Sequence, residues 1–288
     1  MPALPSFKKI LCPVDLSDAS AAAFRYAQAV REKFAGKLSV LHVVPAPAEY
    51  YNTIMPEYAT FVSRAQRTAE AQLNSFTADW KGRFEKVILT GKGYYEILRY
   101  ARREKAGLVV LGAKGISPIV PLLMGGTAER VIREAPCPVL TVRQPAPPFQ
   151  LRKILFPVDF SKEGMRAAPY ALTLAQKFKA TIYLLHVVEL LEGEGAEVED
   201  FVSGKYFEAL QKKLIAKLGS GFKRVKVEKV VQRYIDAGHY ICRFAEEQGM
   251  DLIVMATHGR RRLARLVVGS IAEKVVRNSV VPVLTVRE

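Results

Sequence analysis

With 288 residues, half of them hydrophobic and a quarter charged, the chain has the length of two domains and enough apolar residues for each half to bury a core of its own. Its formal net charge of +15 creates a long-range field that attracts nucleotides, nucleic acid and acidic membranes. The charge divides evenly, 20 basic against 12 acidic residues over 1–146 and 23 against 16 over 147–288, which argues against a basic tail of the nucleic-acid-binding kind.

Residues 1–9 lack an apolar stretch followed by a small-residue cleavage site, and no later run reaches the ~18 apolar residues of a membrane span. A cytoplasmic location is therefore expected. Ile10–Val14 reads as a short buried strand running into Asp15. Ser17 or Asp18 stands ready to cap a helix over Ala19–Phe34, on which Ala22, Tyr26, Ala29, Val30 and Phe34 share a face. Leu38–Val44 reads as a second strand, Ala59–Trp80 as a long amphipathic helix, Lys86–Thr90 as a third strand and Tyr95–Glu104 as a helix. Leu108–Gly112, Ala128–Glu134 and Val139–Arg143 add a strand, a helix and a last strand. This alternation predicts a parallel sheet covered by helices on both faces.

After the proline-rich, stiff connection 144–150 the pattern starts again. Lys9–Ser17 recurs as Lys153–Ser161, Leu41–Val44 as Leu185–Val188, and Pro138–Arg143 as Pro282–Arg287, all at an offset of 144 residues. So long a period makes each copy a whole domain rather than a solenoid unit, with domains expected over 1–146 and 147–288. Cys12, Cys137 and Cys242 have no CxxC spacing. They argue against a disulfide framework or zinc site and read as small buried hydrophobes in a reducing compartment.

Ligands of open α/β sheets bind beyond the carboxyl ends of the strands, where the winding reverses. At the first strand's end stand Asp15 and Asp159. After the fourth come Gly112-Ala113-Lys114-Gly115 and Ala256-Thr257-His258-Gly259, followed by Gly125-Gly126-Thr127 and Gly269-Ser270-Ile271, each opening a helix. Glycines let backbone N–H groups approach a phosphate, and the helix adds its positive end. Ser270 and Glu273 have capping-box spacing. The bland alternative is that the glycines only turn the chain and Ser270 only caps. No Walker A lysine motif, Ser-His-Asp order or pair of catalytic carboxylates is present.

With these residues the chain resembles, twice and over nearly its whole length, the universal stress protein family, whose signature is G-x2-G-x9-G followed by Ser or Thr, with an Asp after the first strand. The resemblance implies two tandem doubly wound α/β domains, each a five-stranded parallel sheet of order 3-2-1-4-5, similar to adenine nucleotide alpha hydrolases. It implies a stress-response regulator that binds ATP or AMP, optionally with Mg, rather than an enzyme, with hydrolysis slow at most. Carried over, Asp159 and Val187 would border adenine, with Pro157 and Val158 also in the nucleotide site. Ala256, His258 and Gly259 would border ribose and phosphate, Gly269, Ser270 and Ile271 would donate to the phosphates, and Met255 would also belong to the nucleotide site. Ala256 departs from the family's first glycine. The first copy offers Asp15, Val43, Gly112, Gly115 and Gly125, but Gly126 replaces the hydroxyl residue, with Thr127 one position late. Its site is expected to be the weaker. The resemblance also implies that Val139–Arg143 and Val283–Arg287 pair as an intrachain pseudo-dimer, with homodimerisation beyond it.

His42 and His186 read as structural histidines, and His258 as the better functional candidate. Arg260, Arg261, Arg262 and Arg265 read either as solvated surface or as phosphate partners; nucleic acid is disfavoured, since no aromatics interleave. Tyr94, Tyr95 and Tyr240 read as packing residues under the pocket rim. Two other functions compete with the nucleotide-binding regulator: an interaction scaffold that has lost nucleotide binding, and an ATP-consuming transferase.

Overall fold

Parallel pairing of β1 (Lys9–Val14) with both β2 (Lys37–Pro45) and β4 (Leu108–Ala113) organises the first half of the computed structural model, which describes residues 5–45, 56–113, 126–189, 224–258 and 268–287. With β3 (Glu85–Gly91) and β5 (Val139–Arg143) the strand order is β3-β2-β1-β4-β5, parallel throughout. The helices are α1 (Asp18–Phe34), α2 (Pro56–Phe76), α3 (Gly93–Arg103) and α4 (Gly126–Glu134). This unit spans Ser6–Phe149, and the second spans Gln150–Glu288.

The second unit repeats the plan. β6 (Lys153–Pro157) leads through a 3₁₀ turn (Gly164–Ala167) into α5 (Ala168–Phe178) and β7 (Thr181–Glu189). β8 (Val227–Tyr234), α6 (Ala237–Glu247), β9 (Leu252–Ala256), α7 (Ser270–Asn278) and β10 (Val283–Val286) follow, in the order β8-β7-β6-β9-β10. Both halves are doubly wound α/β domains, as the alternation of elements predicts. No helix among the described residues is long and apolar enough to cross a membrane.

Local chemistry accounts for the boundaries. Ser17, the expected cap, accepts a hydrogen bond from the Ser20 amide at 3.3 Å. Ala35 closes α1 in the left-handed conformation (φ 49°). Of the expected buried face, Ala22, Tyr26 and Val30 are buried while Ala29 and Phe34 are half-buried; Ala23, Phe24 and Ala27 are buried as well. The stripe shifts because α1 is covered on a second flank, where Phe24 packs on Phe76, Trp80 and Phe84 with centroids 4.8–6.3 Å apart. The expected long helix ends at Phe76 rather than Trp80. There Thr77 turns its hydroxyl back to Leu73 O (2.7 Å) and the Trp80 indole donates to Phe76 O (3.1 Å).

One feature of register positions the site. β1 pairs with β2 over six residues but with β4 only at Ile10 and Leu11, and β6 pairs with β9 only at Ile154 and Leu155. Each central pair therefore parts toward its carboxyl end, at the switch point of the winding.

The cysteines are free. Burial drives the Cys12 thiol far above its ordinary pKa and pushes Cys137 up to about 12, so neither is a thiolate near neutrality.

Candidate functional site

One lip of the second domain's crevice is the β6–β7 edge. His186 Nδ1 lies 2.7 Å from Val158 O, and the Val158 amide donates to Leu185 O at 2.8 Å. A carbonyl only accepts, so the imidazole carries its proton on Nδ1 and serves as a strut between strand ends. Phe160 packs edge-on against the ring at 4.6 Å. These bonds bring Pro157, Val158 and Asp159 beside Val187. The first domain repeats the strut, with His42 Nδ1 2.9 Å from Val14 O. Both histidines are structural, and the partner of each is the backbone next to the aspartate.

The aspartates are held alike. Asp15 Oδ1 accepts from the Ser17 amide (3.1 Å) and hydroxyl (2.5 Å). Asp159 Oδ1 accepts from the Ser161 amide (3.0 Å) and hydroxyl (2.6 Å). The residue between carboxylate and serine is left-handed in both copies, Leu16 at φ 67° and Phe160 at φ 61°, an unfavourable state for bulky residues. A Cβ at Gly164 would collide with Asp159 Oδ1, so glycine there keeps the carboxylate in place. Sequence reading missed Ser17 and Ser161 as orienting groups. The repeated Asp-x-Ser spacing was the available signal.

Burial opposes the Asp15 carboxylate, but the hydroxyl and amide of Ser17 and the hydroxyl of Ser20 outweigh it and hold its pKa below the ordinary aspartate value. A carboxyl depressed on folding adds stability that is complete above its unfolded pKa of about 3.9 and is lost as pH falls through the lower folded value. Asp15→Asn is therefore expected to flatten the acid limb of the Tm–pH profile below about pH 4. An unchanged acid limb would show that these hydrogen bonds do not bias the carboxylate.

The second lip is built by β9 and α7. Ala256 pairs with Val286, and the Thr257 amide donates to Val286 O at 2.9 Å. The Gly269 amide donates to Thr257 O at 2.8 Å. This clasp sets the start of α7 at the end of β9. Thr257 is 2 % exposed, and sequence reading missed it, since its contribution is a carbonyl. Its hydroxyl lies 3.0 Å from His258 Nδ1, and His258 Nε2 is buried without a hydrogen-bond partner among the described residues.

The clasp occupies one expected donor, since the Gly269 amide meets Thr257 O, and it changes the expected start of the helix. Ser270 is the first helical residue rather than the cap: Gly269 holds the cap position at ψ 144° with no side-chain capping bond, and Glu273 pairs with Arg277 at 2.8 Å. Ser270 is consequently exposed. The amides of Ser270, Ile271 and Ala272 occupy the first turn, where no intrahelical acceptor exists. The Met255 side chain is buried in the core. Gly259 and the arginines 260–262 and 265 lie outside the described residues.

In the first domain, Gly115 and Gly125 likewise lie outside the described residues. Asp15 is exposed and Val43 half-buried, both on the β1–β2 edge. Gly112 serves packing: a Cβ there would stand 2.5 Å from Ala19 C and O and 2.7 Å from Ser20 N. Neither Gly112 nor Ala256 has a positive φ. The alanine of the second domain therefore carries no conformational penalty, and the difference between the copies is one of space. Gly126 opens α4 with nothing within 4 Å of a Cβ, and Thr127 is exposed.

Tyr240 packs on Tyr234 and Phe244, as expected. Tyr94 lies under Arg130 at 4.4 Å. Tyr95, by contrast, is 56 % exposed, because the apolar stripe of α3 passes through Ile97, Leu98 and Ala101 instead. No group of three metal-ligating side chains occurs among the described residues.

The Universal stress protein family profile matches residues 6–143 and again 150–287. A universal stress protein of Methanocaldococcus jannaschii is 33% identical over 144 residues, 48% of this chain and 82% of the relative. One from Thermus aquaticus is 31% identical over 137 residues, 48% of this chain and 99% of the relative. Among solved structures, a universal stress protein from Archaeoglobus fulgidus superposes with a TM-score of 0.73 at 21% identity, over 98% of both chains. A functionally unknown protein of Pseudomonas aeruginosa superposes with a TM-score of 0.64 at 19% identity, over 99% of this chain and 93% of the other. At these identities the structures attest the fold.

Proposed function

The chain belongs to the universal stress protein family, with two family domains in tandem, and on that premise we propose that it is a non-enzymatic regulator that binds an adenine nucleotide, ATP or AMP, chiefly in its second domain. The observation that carries this reading is the clasp from Gly269 N to Thr257 O. It holds the positive end of α7, with the amides of Ser270, Ile271 and Ala272 and the Ser270 hydroxyl, beside the end of β9. Such an end is suited to phosphate. Asp159 and the β7 end at Val187, on the opposite lip, would take the adenine. A Mg ion would arrive on the nucleotide's own phosphates.

One hydroxyl distinguishes the domains. Ser270 has one where Gly126 has none, and a hydrogen bond to a charged group is worth about 1.5–3 kcal/mol, or roughly ten- to a hundredfold in affinity. Calorimetric titration with ATP is expected to resolve one tight and one weak or absent site. Two equal sites would contradict the assignment. Gly126→Ser tests it from the other side: with open space at the Cβ, the first domain should fold unchanged and gain about tenfold or more in ATP affinity.

The first domain favours the scaffold reading for its own half, because Gly112 answers to packing rather than to a ligand. Nucleotide carried through purification, identified by mass spectrometry of the denatured protein, separates the two readings for the whole chain. Adenine nucleotide bound without turnover supports the regulator; no affinity for any adenine nucleotide leaves the scaffold.

A further inference from the structure

Between β2 and α2 of the first domain lies a cleft of about 340 Å3 that the nucleotide reading does not use. Among the described residues its wall is small: Ala65 and Ala69 of α2 stand against His42, Val44 and Pro45 of β2. Larger residues at 65 and 69 would fill the gap. The volume falls at the small end of the range of small-molecule pockets, about 300–1,000 Å3. Along its mouth runs an exposed stripe one helical turn apart, Arg64, Thr68 and Gln72.

Among the described lining residues the formal charge of this mouth is positive. Arg64 takes part in no ion pair among the described residues, and none of the described residues lining the cleft is a carboxylate. An apolar wall beside an unpaired guanidinium and an amide matches a molecule with an apolar body and one anionic end. We propose that the cleft is a second ligand site, for a small organic carboxylate with an apolar tail, such as a medium-chain fatty acid. Arg64 takes the carboxylate, with Gln72 as a further donor, while Val44, Pro45, Ala65 and Ala69 cover the tail. The site belongs to the first domain. At the offset of 144 residues Pro45 corresponds to Glu189, whose carboxylate accepts from the Ala237 amide at 3.3 Å and would repel an anion.

The test is calorimetric titration of the full chain with octanoate, in the absence and presence of saturating ATP. One saturable octanoate site per chain, unaffected by ATP, is expected. Arg64→Gln, on the exposed stripe, should lower octanoate affinity about tenfold or more and leave the weaker binding of octanol unchanged. Ala65→Phe should remove both by filling the cleft, with circular dichroism as the folding control. Displacement of octanoate by ATP would place it in the nucleotide crevice and overturn the proposal. So would non-saturable binding, or octanoate affinity that Arg64→Gln leaves unchanged. The saturation and Arg64→Gln outcomes do not depend on whether the second domain binds nucleotide.

Discussion

Gly112→Val is expected to destabilise the first domain by about 3 kcal/mol or more, the upper end of what overpacking a core costs. Usually a crowded side chain is relieved by rotation of its neighbours. At Gly112 the neighbours are the backbone atoms of Ala19 and Ser20, 2.5–2.7 Å from the position of a Cβ, and they begin α1, whose cap at Ser17 also orients Asp15. Relief requires α1 to move away from β4, and Asp15 with it. At about 2–4 °C per kcal/mol, the melting transition of the first domain should fall by roughly 10 °C. The reciprocal change Ala256→Gly removes one methyl from a strand end and should cost less than about 1 kcal/mol, mostly from the greater freedom of the unfolded chain. Calorimetric melting of both variants checks the pair. An unchanged first-domain transition in Gly112→Val would show that α1 packs less tightly on β4 than these distances imply.

Gly269→Val should reduce ATP affinity at least a hundredfold while the second domain stays folded. The backbone at 269 is at φ −59°, open to any residue, so the variant carries no conformational strain. Its Cβ would stand 3.1 Å from Thr257 O, and valine's branching adds bulk beside the bond that draws α7 onto β9. Loss of one such hydrogen bond is worth about 1 kcal/mol of stability. Displacement of the helix end moves three amides and one hydroxyl at once away from the phosphates, which is why binding is expected to suffer far more than folding. Asp159→Ala should instead weaken ATP more than inorganic triphosphate, since it removes a base contact and leaves the phosphate cradle. Titrations of both variants with ATP and triphosphate, with circular dichroism as control, distinguish the two effects. ATP binding by Gly269→Val at wild-type strength would reduce the clasp to a turn and leave the scaffold reading in its place.

The order of elements, the class of the sheet and the duplication were legible in the amino-acid sequence, because they rest on local and periodic signals. Apolar runs such as Ile10–Val14 and Leu38–Val44, the helical spacing through Ala22, Tyr26 and Val30, and the offset of 144 residues each need only neighbours along the chain or a copy of themselves. The pairing of Asp15 with Asp159, and of Gly126 with Ser270, followed from the same offset, and with it the expectation of unequal domains. What tertiary structure alone decided is which groups are already occupied. Gly112 and Gly269 look alike as glycines of one motif, yet one is required by the close approach of α1 and the other holds a strand end through its amide. His42 and His186 stand at the crevice but donate to Val14 O and Val158 O. Ser270 has capping-box spacing but begins its helix instead of capping it. Each of these facts turns on a contact between segments distant in sequence, or on which backbone donor meets which carbonyl first. Residue identity and spacing specify the groups available for chemistry, and only packing determines which of them remain free for a ligand.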